Sequence, residues 1–407
     1  MKKIVALSLM AVTLLVSLCG CNILDTLNDM NSKLYNLNGG EVIEVITEEY
    51  YIFSPEFDSC YNSLKVKQKE LYSKIYYICE EMPKGFVRLC SNYDGAVRDI
   101  TIAYRAVLND HAEIFWMPDT YIIGKSTNDR KNKDICIAFD HSDNGKTIKY
   151  TVTAAERDKM REELNSVVNK IVADSEKVES QFDKEKMFND YICANTEYGG
   201  EKTLENTSYG CLVQGKALCE GYSRAFKLLC NKAGIECDLI VGKADGEGHM
   251  WNSVNIDGKH SFVDVTWNDR PYYPYFYFNI TNEQLEFDHT ISPLYTEVSE
   301  EKINSGASFN FVERICSYAG NGYYEKYGYV LGDEFDYDYA SKASEFITES
   351  AKKKAEYADF LLSSKKIREE FLADELAFIG KIQRKLNGII IDSYYFERDI
   401  LVVFYKQ

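Results

Sequence analysis

Apolar residues in the first half of the chain follow helical spacing in four places. Leu64, Leu71, Ile75, Ile78 and Met82 recur at intervals of three, four and seven residues, which predicts one amphipathic helix. The same periodicity predicts three more helices, over residues 94–109, 154–173 and 183–195.

Strand-like runs lie between these helices, at 115–123, 134–139 and 147–153. The last two flank His141-Ser142-Asp143-Asn144-Gly145, a polar segment that predicts a hairpin turn. The segment also imitates the start of a calcium loop, but its twelfth position is Thr151 instead of glutamate, so we predict a turn. Residues 56–175 are therefore expected to form an N-terminal α+β region.

The stretch "GKALCEGYSRAF" at 215–226 opens a further helical pattern. Apolar residues repeat at three- and four-residue steps from Tyr222 to Ala233, and Gly234 supplies the C-terminal stop. Cys219 falls in the first turn, where unpaired N–H groups and the helix dipole stabilise a thiolate. The alternative is a cysteine buried for packing, since buried thiols are common. Gly221 is expected to leave room for a substrate backbone beside the sulfur.

The segment "GHMWNSVNIDGKHSFVDVTWND" follows an alternating, strand-like run from 235 to 241. Asp257-Gly258 is a two-residue hairpin signal, so Trp251 is expected to face Asp264 across the ribbon. In that register His249, Trp251, Asp264 and Thr266 share one sheet face, and His249 and Asp264 are diagonal neighbours. The spacing therefore predicts a His–Asp hydrogen bond.

Residues 300–407 carry no motif of known chemistry. Their pattern predicts a strand near 322–331, helices near 339–356 and 365–385, and strands at 358–363, 387–392 and 399–405. This order is typical of a small α/β domain, for which we expect a packing or partner-binding role.

The N-terminus is typical of an exported protein. Lys2 and Lys3 precede an apolar run that ends in Leu18-Cys19-Gly20-Cys21. This ending resembles the lipobox of bacterial lipoproteins, which implies removal of residues 1–20 and lipidation of Cys21. Residues 21–55 would then tether the protein to the outer face of the cell membrane. A retained membrane anchor is the alternative, because the run is near the minimum spanning length.

The formal net charge of −17 argues against nucleic acid as a partner, because such a surface repels phosphate backbones. The chain has 12 cysteines. Nine remain once Cys19, Cys21 and Cys219 are set aside, so they cannot all pair, and they form neither CxxC nor a zinc spacing. We expect no metal or other cofactor, and the sequence leaves open whether any disulfides form.

Cys219, His249 and Asp264 supply the residue types of a catalytic triad. A thiolate attacks an acyl carbon, the imidazole stores the proton and returns it to the leaving amine, and the carboxylate fixes the imidazole tautomer. The chain has only five histidines, and His249 is the one that a predicted turn places opposite an acid. His260 lies toward that turn, and the other three lie in loop-like contexts.

Three ordered stretches, "GKALCEGYSRAF", "GHMWNSV" and "FVDVTW", resemble the transglutaminase-like superfamily, whose fold is related to papain-like cysteine proteases. The resemblance covers about 180–290 and implies that Cys219 is the nucleophile, His249 the base and Asp264 the orienting acid. It also implies an α+β fold for residues 176–295, in which the nucleophile helix packs on an antiparallel sheet.

Three neighbouring residues are candidates for the oxyanion hole or the substrate groove. Gln214 lies near where papain-like enzymes keep a glutamine, although an exposed loop position is the alternative. Tyr222 and Trp251 would wall an acyl groove or, equally, pack in the core. The stretch from Tyr272 to Phe278 is expected to form a core strand.

Such a triad specifies acyl transfer through a thioester but not the acceptor. In the superfamily that the sequence resembles, the calcium-dependent cross-linking enzymes carry acidic calcium loops and flanking β-domains. We find neither pattern in this sequence, which favours hydrolysis of peptide or side-chain amides in a protein or peptide substrate. Cross-linking to an amine acceptor is the first alternative. A catalytically inactive surface scaffold is the second.

Overall fold

A computed structural model describes residues 35–37, 42–44, 57–126, 134–143, 146–200, 204–270, 275–332 and 338–406. The expected signal peptide, Cys21 and nearly all of the tether lie outside these residues, as do Asn144 and Gly145 of the predicted turn. Among the described helices, none combines the length and the apolar character that crossing a membrane requires.

The described helices, in chain order, are α1 (Ser59–Ser63), α2 (Val66–Glu81), α3 (Ala96–Asp110), α4 (Ala154–Ser175), α5 (Gln181–Asn195), α6 (Ser208–Leu212), α7 (Cys219–Lys232), α8 (Val265–Asn268), α9 (Asn282–Leu285), α10 (Glu300–Asn304), α11 (Tyr323–Tyr327), α12 (Tyr339–Lys352), α13 (Lys365–Ala373) and α14 (Glu375–Gln383). The strands are β1 (Tyr35–Leu37), β2 (Val42–Ile43), β3 (Phe86–Ser91), β4 (Ile122–Ser126), β5 (Asp134–Ala138), β6 (His141–Asp143), β7 (Lys146–Ile148), β8 (Glu197–Tyr198), β9 (Lys216–Ala217), β10 (Cys237–Ala244), β11 (Glu247–Ile256), β12 (Lys259–Val263), β13 (His289–Ile291), β14 (Val330–Leu331), β15 (Tyr357–Leu362), β16 (Ile390–Glu397) and β17 (Ile400–Lys406).

Three sheets organise these elements. A five-stranded sheet has the order β1-β4-β5-β3-β2, a four-stranded antiparallel sheet the order β12-β11-β10-β13, and a C-terminal sheet the order β14-β15-β17-β16. The fold class is therefore mixed α+β, as the sequence predicts. The antiparallel sheet carries the predicted hairpin, in which Ile256 pairs with Lys259, so its register is confirmed.

One continuous core runs from the first helices to residue 311 and includes α3, α7 and one side of the antiparallel sheet. The helix faces predicted around Leu71 and Phe226 are buried in this core, because each presents apolar residues every third or fourth position. A second apolar cluster fills the C-terminal unit, which consists of β14–β17 and α12–α14. A third cluster joins Val402 and Ile400 of β17 to Trp251 and Tyr277 beside the antiparallel sheet. The C-terminal unit therefore packs on the outer face of the hairpin sheet.

The four predicted helices of the first half are confirmed, but the strand predictions around them need correction. Residues 115–121 form a largely buried loop, in which the Trp116 indole donates to the Cys79 carbonyl over 2.6 Å. Pro118 in that segment has no backbone N–H and therefore cannot donate a hydrogen bond to a neighbouring strand. The predicted hairpin of 134–139 with 147–153 is also wrong, because β5 has β3 and β4 on its two edges. The polar turn instead joins the short strands β6 and β7.

Three further predictions fail in the second half of the chain. The expected strand at 322–331 is mostly helix α11, which ends at Gly328 in the left-handed conformation (φ 73°). Tyrosine favours β-strands only where a neighbouring strand is available for pairing, so the tyrosines of this segment did not make it a strand. The expected helix at 365–385 breaks at Asp374, whose carboxylate caps the next helix by accepting from the Ala377 N–H over 2.9 Å. Of the stretch from Tyr272 to Phe278, expected as a core strand, the described residues 275–278 form a largely buried turn.

Candidate active site

Cys219 is the first residue of α7, with Leu218 as its N-cap. Only 2% of the cysteine is exposed. The first N–H groups of an α-helix have no partner within the helix, and the positive end of the dipole lies at the same place. The sequence prediction that Cys219 opens a helix is therefore confirmed, and the position favours a thiolate.

Gly221 serves a different purpose from the one expected. A Cβ at this position would lie 2.3 Å from the Glu205 carbonyl oxygen and 2.8 Å from the Ala217 Cβ. The glycine therefore allows the first turn of α7 to pack against the 204–207 segment, and the expectation that it opens space for a substrate is wrong.

The Gly221→Ala variant is expected to lose about 1–3 kcal/mol of stability, because backbone atoms must move to accept the methyl group. Thermal unfolding measures this loss as a lower Tm. The matched control is Gly380→Ala in α14, where the nearest atom to the new methyl is the Arg384 Nη1 at 3.7 Å. That variant is expected to be neutral or slightly more stable. Equal Tm values for the two variants would contradict the packing role.

His249 and Asp264 form the hydrogen bond that the hairpin register predicts. His249 lies on β11, and its Nε2 is 2.7 Å from Asp264 Oδ2. The strand pairing ends at Val263, however, so Asp264 and Thr266 do not share the sheet face as expected. Asp264 instead caps the short helix α8, where its Oδ1 accepts the Trp267 N–H over 3.0 Å. The cap fixes the carboxylate while its second oxygen faces the imidazole.

The tautomer of His249 follows from this contact. An ionised carboxylate only accepts hydrogen bonds, so Nε2 of His249 must carry the proton that lies between the two groups. Burial alone would raise the pKa of Asp264, but the charges and hydrogen bonds of His249 and His289 hold it well below its usual value. The carboxylate is therefore ionised at neutral pH, and Nδ1 of His249 is left to accept a proton.

His289 is the site residue that sequence reasoning missed. It was assigned to a loop, yet it begins β13, which pairs with β10. Its Nε2 lies 3.1 Å from Asp264 Oδ2, the same oxygen that His249 contacts, and its Nδ1 lies 2.5 Å from Asp288 Oδ1. A short run, His289–Ile291, gives no alternation that could reveal it, because the strand is defined only by its partner.

A cleft of about 190 Å³ brings Cys219 and His249 to one surface. Its other walls come from α3, from the loop at 119–121 and from the segment 306–311. The helix α3 belongs to the N-terminal region, so that region shapes the cleft together with α7 and β11. Arg105 of α3 also lines it and is braced by donating to the Ala307 carbonyl over 2.6 Å.

The three candidate groove residues are not among those that line this cleft. Tyr222 and Trp251 are fully buried. The Tyr222 hydroxyl donates to Asp269 over 2.6 Å, and the Trp251 ring stacks beside His249 with 6.1 Å between centroids. These contacts correspond to the packing alternative. Gln214 follows α6, and its backbone N–H donates to the Tyr209 carbonyl over 3.2 Å.

His249, Asp264 and His289 also bring three metal-ligand atoms within 4.8 Å of one another. These atoms already hydrogen-bond to one another through protons on the imidazole nitrogens. A cation would have to displace both protons, so the arrangement fits a proton-handling network better than a metal site.

Comparison with known proteins matches part of the chain to one family. Residues 166–272 match the model of the family described as the transglutaminase-like superfamily. The curated relatives include the kyphoscoliosis peptidase of Mus musculus, 27% identical over 122 residues, which are 26% of this chain and 18% of that protein. The Homo sapiens kyphoscoliosis peptidase is 29% identical over 94 residues, covering 19% of this chain and 14% of its own. The matches thus span less than a fifth of these relatives.

Two solved structures are also similar. One is a crystal structure of a TGase, with 17% identity, a TM-score of 0.24, and coverage of 46% of this chain and 52% of that one. Another is a Cytophaga hutchinsonii protein described as a candidate cysteine protease, with 13% identity, a TM-score of 0.23, and coverage of 33% and 52%. The family match contains Cys219, His249 and Asp264. The chain therefore carries a transglutaminase-like superfamily domain over residues 166–272.

Proposed function

We propose that this protein is a cysteine-dependent acyl-transfer enzyme that hydrolyses peptide or side-chain amide bonds in a protein or peptide substrate. The observation that carries the proposal is the 2.7 Å hydrogen bond between His249 Nε2 and the buried Asp264, with His249 and Cys219 both lining one cleft. A helix N-terminus, an oriented imidazole and a buried carboxylate are the three parts that thiol catalysis requires.

The chemistry assigns one role to each residue. The Cys219 sulfur attacks the amide carbon while its proton passes to His249 Nδ1, and the protonated imidazole then gives that proton to the departing amine. Water attacks the resulting thioester, again with His249 as the base, and Cys219 leaves as the thiol. Asp264 keeps Nε2 protonated throughout and stabilises the imidazolium. Backbone N–H groups at the start of α7 are expected to stabilise the oxyanion.

The location of this activity is also part of the proposal. Residues 1–21 support export and a lipid anchor on Cys21, which would tether the enzyme to the outer face of the cell membrane. Mass spectrometry of the mature N-terminus tests this, because a retained Met1 or an unmodified Cys21 would contradict it.

Alkylation by iodoacetamide tests the activated thiol directly. Cys219 is expected to react well below pH 8, and about 10-fold more slowly in a His249→Ala variant. Trypsin releases residues 217–224, in which Cys219 is the only cysteine, so mass spectrometry can follow this thiol alone. Of the other nine described cysteines seven are buried, and Cys90 and Cys193 serve as partly exposed internal references. Equal alkylation rates in the two proteins would favour an inactive scaffold.

The acyl acceptor needs a separate experiment. Surface proteins incubated with and without the enzyme are compared by mass spectrometry for new termini and deamidated side chains, in the presence of a fluorescent primary amine. Hydrolysis predicts new termini or carboxylates that depend on Cys219. Incorporation of the amine in their place would overturn hydrolysis in favour of cross-linking.

A further inference from the structure

A chain of hydrogen-bonded polar side chains leads away from the catalytic pair toward the C-terminal unit. Beyond His249 and Asp264 it continues through His289 and Asp288, and it ends at Arg398. The five side chains are nearly buried, with exposed fractions of 8%, 1%, 0%, 10% and 6% in that order. In a polar network this enclosed, water has little access to replace a lost partner.

Arg398 comes from the turn between β16 and β17, far along the chain from the hairpin. Its Nη1 donates to Asp288 Oδ2 and its Nη2 to the Gln284 carbonyl. The guanidinium also lies over the Tyr277 ring, 4.2 Å from its centroid, and the Tyr277 hydroxyl donates to Asp288 over 2.8 Å. The C-terminal unit thereby fixes the carboxylate that holds His289.

The acceptors around His289 determine its protonation. Asp264 and Asp288 each present a carboxylate oxygen to one of its ring nitrogens, so both nitrogens must donate and the ring must be an imidazolium. Burial alone would lower the pKa of His289, but these two hydrogen bonds raise it to about 8. The titratable and charged groups that face this ring are His249, Asp264, Tyr277, Asp288 and, one contact further, Arg398.

We propose that His289 is a positioning residue, through which Arg398 of the C-terminal unit holds Asp264 and thus orients His249 for catalysis. This inference rests on the proposed function only in taking His249 as a catalytic base. The hydrogen-bond network that positions His249 is a property of the fold. It assigns the C-terminal unit a role: its docking completes the support of the active site. Positions outside residues 166–272 are then required for an ordered site within them.

Two substitutions of His289 separate positioning from packing. His289→Leu keeps an apolar filling but removes the hydrogen bond to Asp264, whereas His289→Gln offers an amide N–H near the position of Nε2. The alkylation rate of Cys219 at pH 6.5 is expected to fall about 10-fold in the leucine variant and to stay within about 3-fold of the parent in the glutamine variant. Packing alone predicts the opposite order, since leucine suits an apolar environment better.

Substitutions of Arg398 test the connection to the C-terminal unit. Arg398→Met keeps an apolar stem over Tyr277 but loses both donors, and we expect about a 3-fold to 10-fold slower alkylation, partly restored in Arg398→Lys. The control is Arg368→Met, which breaks an ion pair of 3.1 Å with Asp399 in the same turn but touches no member of the chain. We expect that variant to match the parent. Circular dichroism and Tm establish that each variant is folded.

The protonation of His289 is measured on the full chain labelled with ¹⁵N-histidine. With five histidines, each signal can be assigned by substitution. Both nitrogens of His289 are expected to carry protons at pH 7 in the parent. A neutral His289 in the folded parent at pH 7, or alkylation rates that are equal in the parent, His289→Leu and Arg398→Met, would overturn the proposal.

These readouts do not depend on turnover. An absence of amide hydrolysis by the parent protein would reject the proposed function, while the alkylation and NMR results would still decide the positioning role. If turnover is present, His289→Leu is expected to lower kcat and leave KM nearly unchanged, because His289 has no exposed surface in the cleft.

Discussion

Asp264→Asn is expected to lower kcat/KM by about 10³–10⁴-fold. The asparagine carbonyl can still cap α8 by accepting the Trp267 N–H. Its NH₂ group, however, would then meet the N–H donors of His249 and His289 at the former Oδ2 position. His249 can restore a hydrogen bond only by moving its proton to Nδ1, which is the nitrogen that must take the proton of Cys219.

The same substitution is expected to cost about 1–3 kcal/mol of stability, since the buried His289 loses one of its two carboxylates. The measurement is kcat and KM on an amide substrate, with the alkylation rate of Cys219 as a second readout. Asp359→Asn is the matched control: this carboxyl also accepts a hydrogen bond from a buried side chain, here the Tyr324 hydroxyl over 2.9 Å, but it lies in the C-terminal sheet. Full activity in Asp264→Asn would contradict the role of the carboxylate in selecting the tautomer.

Glu185→Gln is expected to make the protein more stable at pH 8 by about 2–4 kcal/mol, with little effect at pH 5. Glu185 is completely buried on α5, where the Asn279 side chain donates to its Oε2 over 2.8 Å. Its Oε1 has no hydrogen-bond partner among the described residues. Burial raises the pKa of Glu185 from 4.5 to about 8, against a smaller opposing effect of the Asn279 hydrogen bond.

The sign of the pH dependence follows from proton binding. Between about pH 4.5 and pH 8 the folded protein keeps the Glu185 proton and the unfolded chain releases it, so stability falls as the pH rises through this window. Glutamine has no proton to release and removes that slope. Urea unfolding at pH 5, 6, 7 and 8 measures the difference between the two proteins, and Glu179→Gln, at an exposed position beside the same helix, is the control. Parallel stability curves for parent and Glu185→Gln would rule out this account.

The hairpin and the nucleophile helix are the parts of the site that could be predicted from sequence. Asp257-Gly258 is a local signal, and once the turn is placed the register of β11 and β12 follows without any tertiary information. The start of α7 at Cys219 is equally local, because the apolar repeat and Gly234 define the helix. The partner of the imidazole was found correctly, although Asp264 reaches it from a helix cap instead of from a strand.

The remaining features depended on pairings between distant segments. β5 could not pair with β7, because β3 and β4 already pair with its two edges. No local sequence pattern indicates which edges of a strand are occupied. The sequence alone favours Gly221 as space for a substrate, whereas in the structure the Glu205 carbonyl lies beside it. Tyr222 and Trp251 are aromatic residues close to the triad in sequence, and only burial distinguishes a groove wall from a core residue.

The sequence by itself determined the residue types of the site, the helix that presents Cys219 and the ribbon that presents His249, because turn and helix signals act over a few residues. Only the tertiary structure decided what surrounds them. It brought His289 to Asp264, Arg398 to Asp288 and α3 to the cleft, across separations of 25, 110 and more than 100 residues. Such contacts follow from which apolar faces bury each other, and side chains that meet through that burial leave no periodic trace in either segment.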